Sequence, residues 1–219
     1  SLMTILRSKA VFGVILGIAG LIVHFVAVFS PWYIVTGNIK TSVLESAGTI
    51  EMVLIDGANG LRINMLQGDQ GLTTLFGLAI PFGIIFVVGA ILLALDILGA
   101  EKTKDLSKMF IRSGITTLIP VIIIIAVIVT FPGLVNQFAG SISGTEQIHA
   151  QVNELTSAMS TSPFGGGYTD TINSTGIVDI SWGLAFGAYL FVVAAIIKIV
   201  AGIMLRMTNV SDQNKEIER

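Results

Sequence analysis

The chain has 219 residues, 53% of them hydrophobic and only 12% charged, with 24 glycines, no cysteine and a formal net charge of −2. Soluble domains carry roughly 25% charged residues, so this composition excludes an ordinary soluble domain, a disordered segment and a nucleic-acid-binding protein. Without cysteine there is no disulfide, no thiolate nucleophile and no cysteine-bound metal; what remains is a multi-pass membrane protein with lipid as its first partner.

A helix rises about 1.5 Å per residue and the hydrocarbon core is roughly 30 Å thick, so a span needs about 20 apolar residues. Four stretches meet this requirement. They are 10–30, interrupted by His24; 72–98, uncharged until Asp96; 115–135, with the unbroken apolar run 121–129; and 181–206, with Lys198 inside it. The first follows Arg7 and Lys9 as a secretory leader would, but its length and the lack of a small-residue cleavage site read as a retained helix.

Lysine and arginine near span ends stay on the cytoplasmic side. Nine of the twelve basic residues lie in the N-terminal segment 1–9, the loop 99–114 and the C-terminal end from Arg206 through the tail 207–219. The segments 31–71 and 136–180 hold only Lys40 and Arg62 against eight carboxylates. Both termini are therefore expected in the cytoplasm of a cell-membrane protein, with two acidic outer loops that disfavour any polyanionic partner. The expected fold is an all-α four-helix transmembrane bundle with a small extracytoplasmic antiparallel β-sheet in the first outer loop.

That sheet is read from 32–36, 43–45, 49–55 and 61–66, which are rich in Val, Ile, Leu and Thr and are separated by Gly37-Asn38, Ala47-Gly48 and Asp56-Gly57-Ala58-Asn59-Gly60. In the second outer loop, Ser143 and Glu146 have capping-box spacing, and Ile148, Val152, Leu155 and Met159 follow at helical intervals, which predicts a short amphipathic helix over 144–160. The run from Ser162 to Tyr168 contains three consecutive glycines flanked by Phe164 and Tyr168 and reads as a mobile contact loop; no strand leads into it and no lysine follows, as a phosphate cradle would need. Asn173 opens an N-glycosylation sequon on the expected outer side.

Intramembrane charges are functional candidates because the bilayer penalises them. Asp96 and Lys198 both stand toward the cytoplasmic ends of their spans, so they read as a structural pair or as snorkelling groups, with an ion or proton pathway as the functional alternative. His24 has no His, Asp or Glu three or four residues on, and reads as a buried, hydrogen-bonded imidazole, with metal binding or pH sensing as the alternative. Gly13 and Gly17 in the first span, and Gly183 and Gly187 in the last, have the four-residue spacing that lets helix backbones approach, and Pro120 is expected to bend the third span. Trp32, directly after Pro31, either lies against the headgroups or packs beneath the sheet. No HExxH, GxSxG or Walker pattern occurs, so no catalytic residue, metal site or cofactor is assigned.

Ser30-Pro31-Trp32-Tyr33 at the exit of the first span and Gly60-Leu61 late in the first outer loop, set in this topology, resemble the claudin, peripheral-myelin-protein and calcium-channel gamma-subunit superfamily. That family has Gly-Leu-Trp followed by two cysteines; here Arg62 takes the place of the Trp and the cysteines are absent. The resemblance implies a left-handed bundle beneath an outer sheet. It also implies a non-enzymatic adhesion, barrier or auxiliary-subunit role, through outer-loop contacts with like subunits or with a larger membrane complex. The alternative is a small channel or transporter formed by oligomerisation.

Overall fold

The computed structural model describes residues 2–41, 49–57, 60–66, 72–78, 82–99, 103–141, 146–172 and 176–217. The element order is α1 (Leu2–Phe29), β1 (Pro31–Thr41), β2 (Thr49–Asp56), β3 (Gly60–Leu66), β4 (Leu72–Leu78), α2 (Phe82–Gly99), α3 (Thr103–Ser141), α4 (Glu146–Thr161), β5 (Gly165–Ile172), β6 (Gly176–Leu184) and α5 (Phe186–Ile217).

Among the described residues, three helices hold stretches long and apolar enough to cross a membrane: Lys9–Phe29 in α1, Asp105–Gln137 in α3 and Phe186–Thr208 in α5. Their burial pattern inverts that of a soluble bundle. Ile15, Ile18 and Ile22 of α1, Ile115, Ile119 and Ile122 of α3, and Ile196, Val200 and Ile203 of α5 are exposed. The buried seams are rich in small residues and hold two polar ones: Gly13, Gly17, Gly20, His24 and Ala27 in α1, and Gly187, Ala194, Lys198 and Ala201 in α5, with Phe191 and Leu205 as the large side chains between them. The alternating four- and three-residue spacing averages 3.5 residues, the period of left-handed helix packing. Apolar side chains turned outward and small ones turned inward suit a lipid solvent, in which close backbone approach holds helices together.

α5 is the centre of the bundle and packs along its length against both α1 and α3, whereas α2 touches α1 and α3 only lightly. Where four bundled spans are expected, the described core consists of three helices, α1, α3 and α5, with α2 on its flank. The Phe110 ring of α3 lies where a side chain at Gly17 would stand, and Ser107 of α3 donates a hydrogen bond to the Gly202 carbonyl at 2.7 Å. The glycine stripe of α1 is thus used within the chain.

The strands form one antiparallel six-stranded sheet in the order β4-β3-β2-β1-β6-β5. On its inner face Tyr33, Val35, Val53 and Trp182 share one apolar core with Ile124, Ile128 and Phe131 of α3 and Met159 of α4. Helix α4 fulfils the expectation of a short amphipathic helix; Ser143 of its expected cap lies outside the described residues.

The sheet departs from expectation at several places. Gly37-Asn38, read as a break between strands, lies inside β1, where Gly37 pairs with Ile50 of β2 and Ile180 of β6 and so continues the strand. Leu72–Leu78, read from hydropathy as the start of the second span, is strand β4, and the helix begins only at Phe82. A short apolar run is equally a buried strand or a helix turn by periodicity alone, and here pairing with β3 decides. Next, the sheet is not confined to the first outer loop, because β5 and β6 come from the second and β6 pairs with β1. Finally, Trp182 and Gly183 belong to β6, so the last helix starts at Phe186 and Gly183 and Gly187 do not form a helical glycine pair. The expected strand 43–45 lies outside the described residues.

Candidate functional site

The last carbonyls of a helix have no partner within it and must find donors elsewhere. At the end of α1 they bind the sheet. Ala27 accepts from the Trp32 indole Nε1 at 2.9 Å, Val28 from the Gly57 amide at 3.0 Å and Val26 from the Ser30 hydroxyl at 2.8 Å. The Trp32 carbonyl in turn accepts from the Ala185 amide at 2.9 Å, just before α5. Trp32 is 3% exposed, and its ring meets Phe191 edge-on at 5.2 Å. Of the two readings of Trp32, packing beneath the sheet is the one observed. Gly187 sits at this crossing because a side chain there would meet the carbonyls of Ser30 and Pro31 at 2.7 Å.

The segment expected to be a mobile glycine loop is fixed at both ends. Ser162–Phe164 turns from α4 into β5, and each of its carbonyls is taken: Ser162 by the Trp182 indole at 2.8 Å, Pro163 by the Tyr33 hydroxyl at 3.1 Å and Phe164 by the Leu184 amide at 3.1 Å. Gly166 lies beneath the Trp182 ring, where a side chain would come within 2.7 Å of it. Gly166 makes a floor for the indole. Phe164 keeps its ring half exposed. Tyr168 donates toward Glu154 at 3.1 Å and Asp170 at 3.2 Å, and burial with these carboxylates pushes its phenol up to about 12. Burial raises Tyr33 to about 12 as well.

The sheet's other face carries ordered polar groups. The Thr36 and Ser181 hydroxyls lie 2.7 Å apart across β1 and β6. Asp179 accepts from Lys40 at 2.9 Å and from Thr169 at 2.9 Å, and these hydrogen bonds hold its carboxyl below the usual range.

Beneath the junction, inside the bundle, lies a buried polar cluster. Side chains on a helix lean toward its N-terminus, and α5 begins at the sheet, so Lys198 leans toward the sheet and not toward the C-terminal end of the helix. Gly20 leaves room for its stem, since a side chain there would meet Lys198 Cγ at 2.8 Å. The ammonium is 0% exposed and lies 2.6 Å from His24 Nδ1 and 2.9 Å from Thr117 Oγ1. Thr117 donates its own hydrogen to the Ser113 carbonyl at 2.7 Å, so it accepts from Lys198.

Both readings of Lys198 are corrected by this geometry. It does not snorkel, and Asp96 is exposed on α2 and is not its partner among the described residues. His24 is the hydrogen-bonded buried imidazole expected, here with a lysine as neighbour. Thr117 was missed; the signal is its place in the buried series Ser107, Phe110, Gly114, Thr117, spaced by three and four. Asn173 lies outside the described residues. Among the described residues no three His, Asp or Glu side chains converge as a metal site would require. Comparison with models of known protein families and with curated proteins found no match.

Proposed function

We propose that the chain is a non-enzymatic, claudin-like tetraspan of the cell membrane whose outer sheet makes protein contacts, either with a like chain or as the accessory subunit of a larger membrane complex. In this reading α2 is the fourth span. Strand β4 lies in the sheet, whereas the start of α3 lies at the far end of the bundle, where Ser107 meets Gly202 and Phe110 meets Gly17. The chain between them must travel the length of the bundle, and 18 residues of helix cover about 27 Å at about 1.5 Å per residue. Both termini and the basic α2–α3 connection then face the cytoplasm, in keeping with their lysines and arginines. The claudin-like reading is supported by the element order: a helix, four strands, a helix, a long helix, a short helix, two strands of which β6 returns to β1, and a last helix.

The observation that carries the contact role is the construction of the sheet. Its inner face is bound into the bundle through Trp32, Gly57 and Ala185, while its outer face holds Thr36, Ser181, Lys40, Asp179 and Thr169 in fixed hydrogen bonds open to solvent. Polar groups ordered in advance lower the cost of docking a partner, and the acidic balance of the outer loops favours a neutral or basic one. The test is to isolate the protein from its host membranes in mild detergent, alongside a variant carrying Thr36→Arg and Ser181→Arg on that face. The wild type is expected to travel as an oligomer or with a stoichiometric second subunit, and the variant to lose that mass at unchanged melting temperature. A wild-type monomer that travels alone and supports solute flux in liposomes would contradict the reading and favour the channel.

A further inference from the structure

We infer that the His24–Lys198 contact is a proton-operated latch on the bundle: α1, α3 and α5 stay closed while one proton lies between ring and amine, and the cluster opens when both nitrogens carry one. The geometry allows one proton there. Lys198 Nζ is 2.6 Å from His24 Nδ1, and its second bond goes to Thr117, whose hydroxyl hydrogen is already given to Ser113. Nδ1 therefore accepts, and a proton added to it would face an ammonium across that distance in a site removed from water, where like charges repel far more than in solution. Among the described residues no carboxylate contacts Lys198 to absorb the second charge.

Among the described side chains, the other titratable groups on the elements packed against this pair are exposed or otherwise engaged. Asp96 of α2, Asp105, Lys108 and Arg112 of α3, Lys9 of α1 and Arg206 of α5 are exposed. Asp56 of β2 binds Arg62 at 3.4 Å, and Tyr33 of β1 donates to Pro163.

The latch adjoins the element it would move. The edge of Phe191 meets His24 at 5.7 Å and Trp32 at 5.2 Å, and Trp32 caps α1 and holds the sheet. Protonation in the membrane is thereby coupled through packed rings to the seat of the outer domain.

The experiment is backbone hydrogen exchange of the full chain in phosphatidylcholine nanodiscs, corrected for the intrinsic pH dependence of exchange, at about pH 8 and about pH 5, on either side of the ordinary imidazole range. Protection at 28–33 and at Gly57 is expected to fall about tenfold at the acid pH, with that of the β5–β6 hairpin unchanged. His24→Asn supplies an oxygen that accepts from Lys198 and cannot gain a proton, and should hold full protection at both values. Should that variant not fold, Lys198→Met removes the second cation and should shrink the pH response to the cost of charging a buried imidazole alone. Equal wild-type protection at both values overturns the inference, as does a pH response that survives in His24→Asn or is undiminished in Lys198→Met. None of these readouts requires a partner of the outer sheet.

Discussion

At the scale of single residues, Trp32 joins the two halves of the molecule. It caps α1, accepts a bond from the chain entering α5, and fills the space between Phe191 and Gly57. Truncating a large aromatic in a packed core costs roughly 3–5 kcal/mol, against much less for an interfacial anchor. Trp32→Ala is expected to lower the melting temperature clearly and to speed proteolysis near Gly57, whereas Phe164→Ala, at a half-exposed ring, should do neither. Equal, small effects would place Trp32 in the headgroup belt. Its position after Pro31 left both roles open in the sequence, because the deciding partners come from β2 and from the chain before α5. Lys198 was visible as a charge in an apolar run, but its partners were not. Depth from the helix end pointed to the cytoplasm, while the lean of side chains toward the start of α5 pointed the other way, and Gly20 provides the space.

At the scale of elements, hydropathy located α1, α3 and α5, and the helical spacing of Val152, Leu155 and Met159 located α4. It failed where an apolar run is a strand. Leu72–Leu78 and the chain up to Leu184 pair in the sheet, and a run of that length has no period that separates a buried strand from the first turns of a span. The three glycines before Tyr168 misled for a related reason. Glycine normally weakens a strand, but opposite Trp182 its lack of a side chain is what the indole requires. Gly166→Val is accordingly expected to destabilise by about 1–3 kcal/mol, as overpacking does, and to expose the β5–β6 hairpin to protease. An unchanged melting temperature, with the Trp182 fluorescence of the wild type, would show that the ring does not rest on that glycine.

At the scale of the whole molecule, six described strands stand on helices whose outward faces suit lipid and whose inward faces combine glycine and alanine, a few hydrogen-bonded polar groups, and large apolar side chains such as Phe110, Ile128 and Phe191. Composition and charge placement pointed to the membrane class and separated acidic loops from basic ones, because these follow from local content. The union of the two outer loops in one sheet was hidden, since pairing of β1 with β6 joins residues far apart in sequence. That union makes the topology testable with two cysteines in a chain that has none of its own. Ser160 is exposed on α4, which packs against the sheet, and Lys108 is exposed near the opposite end of α3. Ser107 is unsuitable as the inner probe because it is buried against Gly202. On intact cells an impermeant maleimide is expected to label Ser160→Cys at once and Lys108→Cys only after permeabilisation; labelling of Lys108→Cys on intact cells, with Ser160→Cys protected, would contradict a four-span protein whose sheet faces outward.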